Sequence, residues 1–348
     1  MASALSHADG NWHSEAKPVT APLTTRDIID ALVQSTHAPD PVGAIRVKAR
    51  SAIEQFCSTF GEPTMPLDVD ALASYLGISR SADAPTHSED AEIVPVGDGR
   101  VAIRVNPDRP ETRKRFSVAH EVSHTFFSSF QTKSWCRTDG RYRQRDNPDD
   151  LLEMLCDFGA SELIFPAPWF IRDAATVATG AGLVDLARKY LASREATLRR
   201  FVETHTGCVA AVFLSWKLKP TQQPTIGNIN QHNLFDADPA ENVRRAKRLR
   251  LDYSIPSLKF AGAAHYLPAD KSVQNEGPLY EAASTGRPCE GECRLDFGPA
   301  GGRYRVLAVP VWTADCDVGP HGENGVGAII ELLDLRPPKT QSDPKLFD

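Results

Sequence analysis

The chain lacks any run of about 18 consecutive apolar residues, which excludes a membrane-spanning helix. Its opening stretch, MASALSHADGNWHSEAKPVTAP, lacks a cationic start followed by an apolar core, so no secretory signal is expected there. Cysteines are few, seven in all, odd in number and scattered. That pattern argues against a disulfide framework and for a reducing cytoplasm, with no membrane partner. Charge of one sign is also lacking: 39 basic against 45 acidic residues leave a net charge of −6, which excludes wholesale coating of nucleic acid but not a local basic patch. There are no internal repeats. What remains is ordinary globular chemistry: 348 residues, 41% hydrophobic and 24% charged, enough for two or three domains with real cores.

Residues 1–24 mix Ser, Ala, Pro and His without apolar period and read as a tail. From Thr25 the spacing predicts helices over TRDIIDALVQSTH, VGAIRVKARSAIEQFCSTFG and PLDVDALASYLGISR, the last closed by Gly77. AEIVPV, the turn Gly97-Asp98-Gly99 and RVAIRVN read as a β-hairpin. ETRKRFSVAHEVSHTFFSSF and DDLLEMLCDFGASELIFP read as long helices, separated by an aperiodic loop over 131–150. LVDLARKYL, a Ser193 N-cap and REATLRRFVETH have the form of a helix–turn–helix over 171–207. CVAAVFLSWKL, YRVLAVPVW and GVGAIIELL are strand-like and belong to a separate α+β domain over 208–338, before a tail over 339–348. The fold class expected is α+β, with a mainly helical first domain over 25–170 carrying a small β-sheet.

One motif carries chemistry: His120-Glu121-Val122-Ser123-His124. Positions i and i+4 of a helix share a face, so both imidazoles can reach one ion, with Glu121 beside them as general base. Zinc in such a site keeps one position open and needs a third protein ligand. Glu153 on the next helix is the leading candidate, a thermolysin-like solution, with Asp149, Asp150 and Asp157 as alternatives.

RKRFSVAHEVSHTFF followed by EMLCDFGASELIFP resembles the ImmA/IrrE family of zinc metallopeptidases. Arg115, Phe116, Ala119, His120, Glu121 and His124 match the first part of its pattern; Glu153, Cys156, Asp157, Ala160 and Pro166 match the second. Gly159 departs from it, standing where a large apolar residue is common, as does Phe165, where Met is. The resemblance covers roughly residues 45–215. It implies a mainly helical zincin-like peptidase fold, zinc held by His120, His124 and Glu153, and Glu121 as the base of an endopeptidase. Longer members, of the IrrE and CapP types, add a helix–turn–helix and a GAF-like sensor domain. By family analogy the substrate is a helix–turn–helix repressor whose cleavage derepresses a stress-response or anti-phage operon. A peptide substrate is expected to pair along the strand Val101–Val105.

The loop over 131–150 offers Tyr142 as an oxyanion donor and Cys136 as an inhibitory zinc ligand, a thiolate being a strong soft donor. Residues 100–145 hold 11 Lys/Arg against 4 Asp/Glu. Arg141, Arg143 and Arg145 alternate there, and a second run includes Arg244, Arg245 and Arg248, so single-stranded DNA is an expected activator. Cys289-x-x-x-Cys293 with Cys316 and His321 is a looser grouping, more simply read as buried thiols. The competing reading, from a different class, is a DNA-binding regulator whose metal site is structural or vestigial.

Overall fold

Capping residues start the first three helices where the apolar period begins. The computed structural model describes residues 23–85, 89–128, 135–136 (main chain), 147–222, 246–263, 266–311 and 325–334. In α1 (Thr25–Thr36) the Thr24 side chain accepts from the Asp27 N–H while the Asp27 carboxylate accepts from the Thr24 N–H, a reciprocal capping box. α2 (Pro41–Phe60) opens on an Asp40 cap with proline at its first position, and α3 (Val69–Tyr75) on an Asp68 cap.

Four strands follow, β1 (Ile78–Arg80), β2 (Ala91–Gly97), β3 (Arg100–Val105) and β4 (Trp135–Cys136), in the order β1-β3-β2-β4. The β2–β3 turn is as expected: Gly97, Asp98 and Gly99 all have positive φ, at 91°, 51° and 70°. Two sequence readings are corrected here. Strand β3 is interior, paired in parallel with β1 (Ile78 opposite Val101) and antiparallel with β2 (Ala91 opposite Val105), so it has no open edge for a peptide. The three residues of β1 are too short a run to show as alternation. Within the supposed long loop, the main chain of Trp135–Cys136 pairs with Ile93 and Glu92 of β2.

α4 (Glu111–His124), α5 (Pro148–Ile164), α6 (Ala167–Ala174), α7 (Gly180–Lys189) and α8 (Arg194–Thr204) come next. α4 stops at His124 rather than running on through Phe130. The N–H groups of Thr125, Phe126 and Phe127 turn to carbonyls three residues back, and the Thr125 hydroxyl donates to Val122 O at 2.7 Å. The second sheet is formed by β5 (Val209–Lys217), β6 (Arg248–Pro256), β7 (Cys289–Leu295), β8 (Gly302–Val311) and β9 (Gly325–Leu332), all antiparallel in the order β6-β5-β9-β8-β7. Two short helices, α9 (Leu258–Gly262) and α10 (Pro278–Thr285), interrupt it. The α+β class is as expected, with ten α-helices and two sheets among the described residues.

Period-two alternation explains how the second sheet is covered. Val209, Ala211 and Phe213 of β5 join the core that fills α1 to α8, while Ala210, Val212, Leu214 and Trp216 face a second core with Leu279, Ala282 and Ala283 of α10. With both faces dry, β5 reads as continuous apolar sequence. α8 lies against the sheet because Gly327 has no side chain: a Cβ there would sit 2.5 Å from Leu198 Cδ1 and 3.2 Å from Phe213 Cε1.

One buried ion pair ties three helices together. Arg200 of α8, 2% exposed, donates to Glu162 of α5 at 2.6 Å and to Phe165 O at 3.1 Å, and Arg50 of α2 adds a bond to Glu162 at 2.9 Å. Burial opposes the Glu162 carboxylate's charge, but the charges and hydrogen bonds of Arg200 and Arg50 together outweigh it and hold the pKa below the ordinary value. Glu162→Gln leaves Arg200 buried without its counter-ion and should cost about 3–5 kcal/mol in urea unfolding. The depressed folded pKa means this stability is full above the unfolded value of about 4.3 and is lost as pH falls through the folded one. The unfolding midpoints of wild type and variant should therefore converge in acid.

Candidate metal centre

The site is made by two helices that touch unusually closely. α5 begins on Asn147, whose side chain accepts from the Asp149 N–H, with Pro148 at its first position. Glu153, Cys156, Asp157 and Ala160 then fall at i, i+3, i+4 and i+7, one face of a helix. The departure at Gly159 has a physical reason: a Cβ would stand 2.6 Å from Ser123 Oγ, 2.9 Å from Ser123 Cβ and 3.1 Å from Ile45 Cγ1. Ser123 lies inside the His-Glu-x-x-His motif, so glycine here lets α5 approach the motif itself.

The histidines meet a carboxylate across that contact. His120 Nε2 lies 3.2 Å from one Glu153 oxygen, and His124 Nε2 lies 3.5 Å from the other. On the opposite sides of the rings, His120 Nδ1 is 2.9 Å from Asp157 Oδ1 and His124 Nδ1 is 3.3 Å from Cys156 Sγ. His120, Glu121 and His124 are at most 1% exposed, and Glu153 keeps 18% of its side chain accessible. Burial alone would lower the His120 pKa, but the hydrogen bonds the ring donates to Asp157 and then Glu153, with the charges of both, outweigh it and raise the value to about 9. A pocket that favours a cation on an imidazole through two carboxylates also favours a metal ion there. Two imidazole nitrogens and one carboxylate facing each other fit a divalent ion.

The three sequence-predicted ligands are thus brought together. Asp157, weighed as an alternative ligand, instead meets the far nitrogen of His120. Asp149 is turned to α1, accepting from the Thr25 hydroxyl at 2.5 Å. Asp150 stands in the first turn of α5, one turn before Glu153. Cys156 is the residue that sequence reasoning passed over, though the family pattern contained it. Ligand atoms of His120, His124 and Cys156 lie within 4.8 Å of one another, a second potential donor set. The thiol, however, faces Nδ1 of His124 while Glu153 faces Nε2, and one ring cannot turn both nitrogens to one ion. We favour Glu153, which both Nε2 atoms face.

Arg115, part of the same motif, does not reach the site. It is 6% exposed and donates to Tyr190 O at 3.1 Å and Leu67 O at 2.5 Å, clamping α4 to the end of α7 and the entry of α3. Burial lowers its pKa to about 10, with Asp68, Asp70 and Glu111 acting in the other direction.

In the described part of the basic stretch, most of the cations are held in ion pairs. Arg104 pairs with Glu92, Arg109 and Arg113 both pair with Asp90, and Lys114 pairs with Glu111. In the second run Arg250 is 8% exposed and bonded to Asp270 O and Lys217 O, while Arg248 is exposed and donates to Lys247 O. The side chain of Cys136, and Tyr142, Arg141, Arg143, Arg145, Arg244 and Arg245, lie outside the described residues, as do Cys316 and His321. Two successive helices, α7 and α8, occupy the stretch expected to be a helix–turn–helix. Yet from Thr197 to Glu203, α8 leaves only Arg199 and Glu203 exposed, and Arg199 is bonded to Glu195 and Tyr253.

Residues 67–202 match the model of the IrrE N-terminal-like domain family, Peptidase_M78. The resemblance drawn from the two helical motifs is therefore borne out over that stretch. A search of curated proteins found no match. Among solved structures, a Mycobacterium tuberculosis transcriptional regulator is similar at 15% identity and a TM-score of 0.48, over 88% of this chain and 94% of that one. No helix among the described residues is long and apolar enough to cross a membrane.

Gly159→Ala should cost about 1–3 kcal/mol, since Ser123 and Ile45 must give way. The same change should reduce metal retained after dialysis, measured by elemental analysis, because it moves the helix bearing Glu153 away from the histidines.

Proposed function

We propose that the protein is a zinc-dependent endopeptidase that cleaves a helix–turn–helix repressor and so derepresses a stress-response or anti-phage operon. The observation that supports this most directly is the convergence of His120 Nε2 and His124 Nε2 on the Glu153 carboxylate from a second helix. His120, His124 and Glu153 would hold the ion. When bound, zinc supplies Lewis acidity toward a water and a carbonyl oxygen. Glu121, between the two histidines and fully buried, takes the proton from the attacking water and passes it to the departing amine. Asp157 fixes the His120 ring by accepting from Nδ1, which leaves Nε2 as the ligating nitrogen. The repressor as substrate rests on family analogy, and so do the operon and the GAF-like sensor reading of the second sheet. A cytoplasmic location agrees with seven scattered cysteines.

The competing reading, a DNA-binding regulator with a structural metal, draws less support because the helix that would enter a groove is spent on packing against the sheet. Glu121→Gln separates the two. On the peptidase reading it keeps its metal, by elemental analysis, and loses at least about 100-fold in cleavage when the chain is co-expressed with the helix–turn–helix protein encoded beside it. Full function in that variant would leave the regulator reading standing.

Single-stranded DNA as activator now rests on Arg141, Arg143 and Arg145, since most described cations of that stretch are held in ion pairs. Adding it should raise the cleavage rate and retard the protein in a gel; no change in either removes this part of the proposal. A Cys136 latch predicts faster basal cleavage in Cys136→Ala.

A further inference from the structure

We propose that Cys156 is the positioning residue for His124, its thiol sulfur accepting from Nδ1–H so that Nε2 points to the metal. This rests on the metal-centre reading above. Four distances define the arrangement: both Nε2 atoms face Glu153, at 3.2 and 3.5 Å, while the two Nδ1 atoms face Asp157 at 2.9 Å and Cys156 Sγ at 3.3 Å. Glu153, Cys156 and Asp157 are successive members of one helical face, so α5 supplies a ligand and, one turn later, a partner for each ring.

The pairing is unequal. Asp157 offers His120 an ionised acceptor, 38% exposed in its side chain. Cys156 offers His124 a neutral sulfur, a weak acceptor, sealed in the core at 0% exposure beside Leu152, Leu155 and Ala160. Outer partners hold a ligating imidazole in one tautomer and orientation and raise its basicity, and a carboxylate does this more strongly than a thiol. His120 is therefore the firmly fixed ligand and His124 the weaker one. The burial of Cys156 also separates this role from that of a reactive thiol, since nothing in solvent reaches it.

The test measures zinc affinity by competition with a chromophoric chelator, and the visible spectrum of the cobalt-substituted protein, for wild type, Cys156→Ala and Cys156→Ser. Circular dichroism checks that each is folded. Alanine removes the acceptor and should weaken zinc binding about tenfold and shift the cobalt d–d bands. Serine restores an acceptor at the same place and should return both readouts close to wild type, which simple loss of packing would not do. Should Cys156→Ala fail to fold, Cys156→Ser against Cys156→Val gives the same contrast. Unchanged affinity and spectrum in the alanine variant would overturn the proposal. So would an intense sulfur-to-cobalt charge-transfer band in wild type that serine abolishes, because the thiol would then be inside the coordination sphere. Failure of wild type itself to take up zinc or cobalt would sink the metal-centre reading instead, and is distinguished by the absence of any binding to modulate.

Discussion

The approach of α5 to α4 is the constraint on which the rest depends. Two histidines one turn apart define a line; only a carboxylate brought in from outside the helix closes it into a pocket. Gly159 against Ser123 sets how near that carboxylate comes, and the neighbouring contacts confirm the seam is dry: Cys156, Ala160 and Leu163 are fully buried beside Ala119 and Val122. A side chain at 159 would separate the helices where the metal site is narrowest. The clamp of Arg115 on Leu67 and Tyr190 holds the other end of α4, so the motif helix is fixed at both ends before any ion arrives.

The site was legible in the sequence to an unusual degree because its parts are short-range. His120, Glu121 and His124 stand out as a His-Glu-x-x-His motif at helical spacing, and the next helix offers Glu153 among several acids, with the family resemblance favouring it. Asp157 illustrates the limit. Spacing shows that Glu153 and Asp157 share a face of α5, but not which of them meets Nε2 and which Nδ1, because that depends on the crossing of two helices. Gly159 was visible only as an anomaly until the contact with Ser123 explained it.

The fold was less legible wherever pairing is long-range. β1 is three residues and β4 two, below any detectable alternation, yet β1 makes β3 interior and β4 does the same for β2. β7, CEGECRL, is polar on alternate positions and drew attention for its cysteine spacing; it is an edge strand whose residues pair one for one with Gly302–Ala308 of β8. A formal charge count over residues 100–145 does not see that Asp90, 2% exposed and outside that stretch, pairs with both Arg109 and Arg113.

Phe213, Leu198 and Gly327 carry a last consequence. Because the helix bearing Arg200 rests on the second sheet through these residues, and Arg200 in turn reaches Glu162 on the helix bearing Glu153, the two halves share a mechanical boundary rather than a hinge. A chain severed after Thr206 would wet Leu198, Phe201 and Val202 on the helix that carries Arg200. Whatever strains the sheet is therefore inherited, through rigid packing and without any linker, by the helix that supplies the carboxylate.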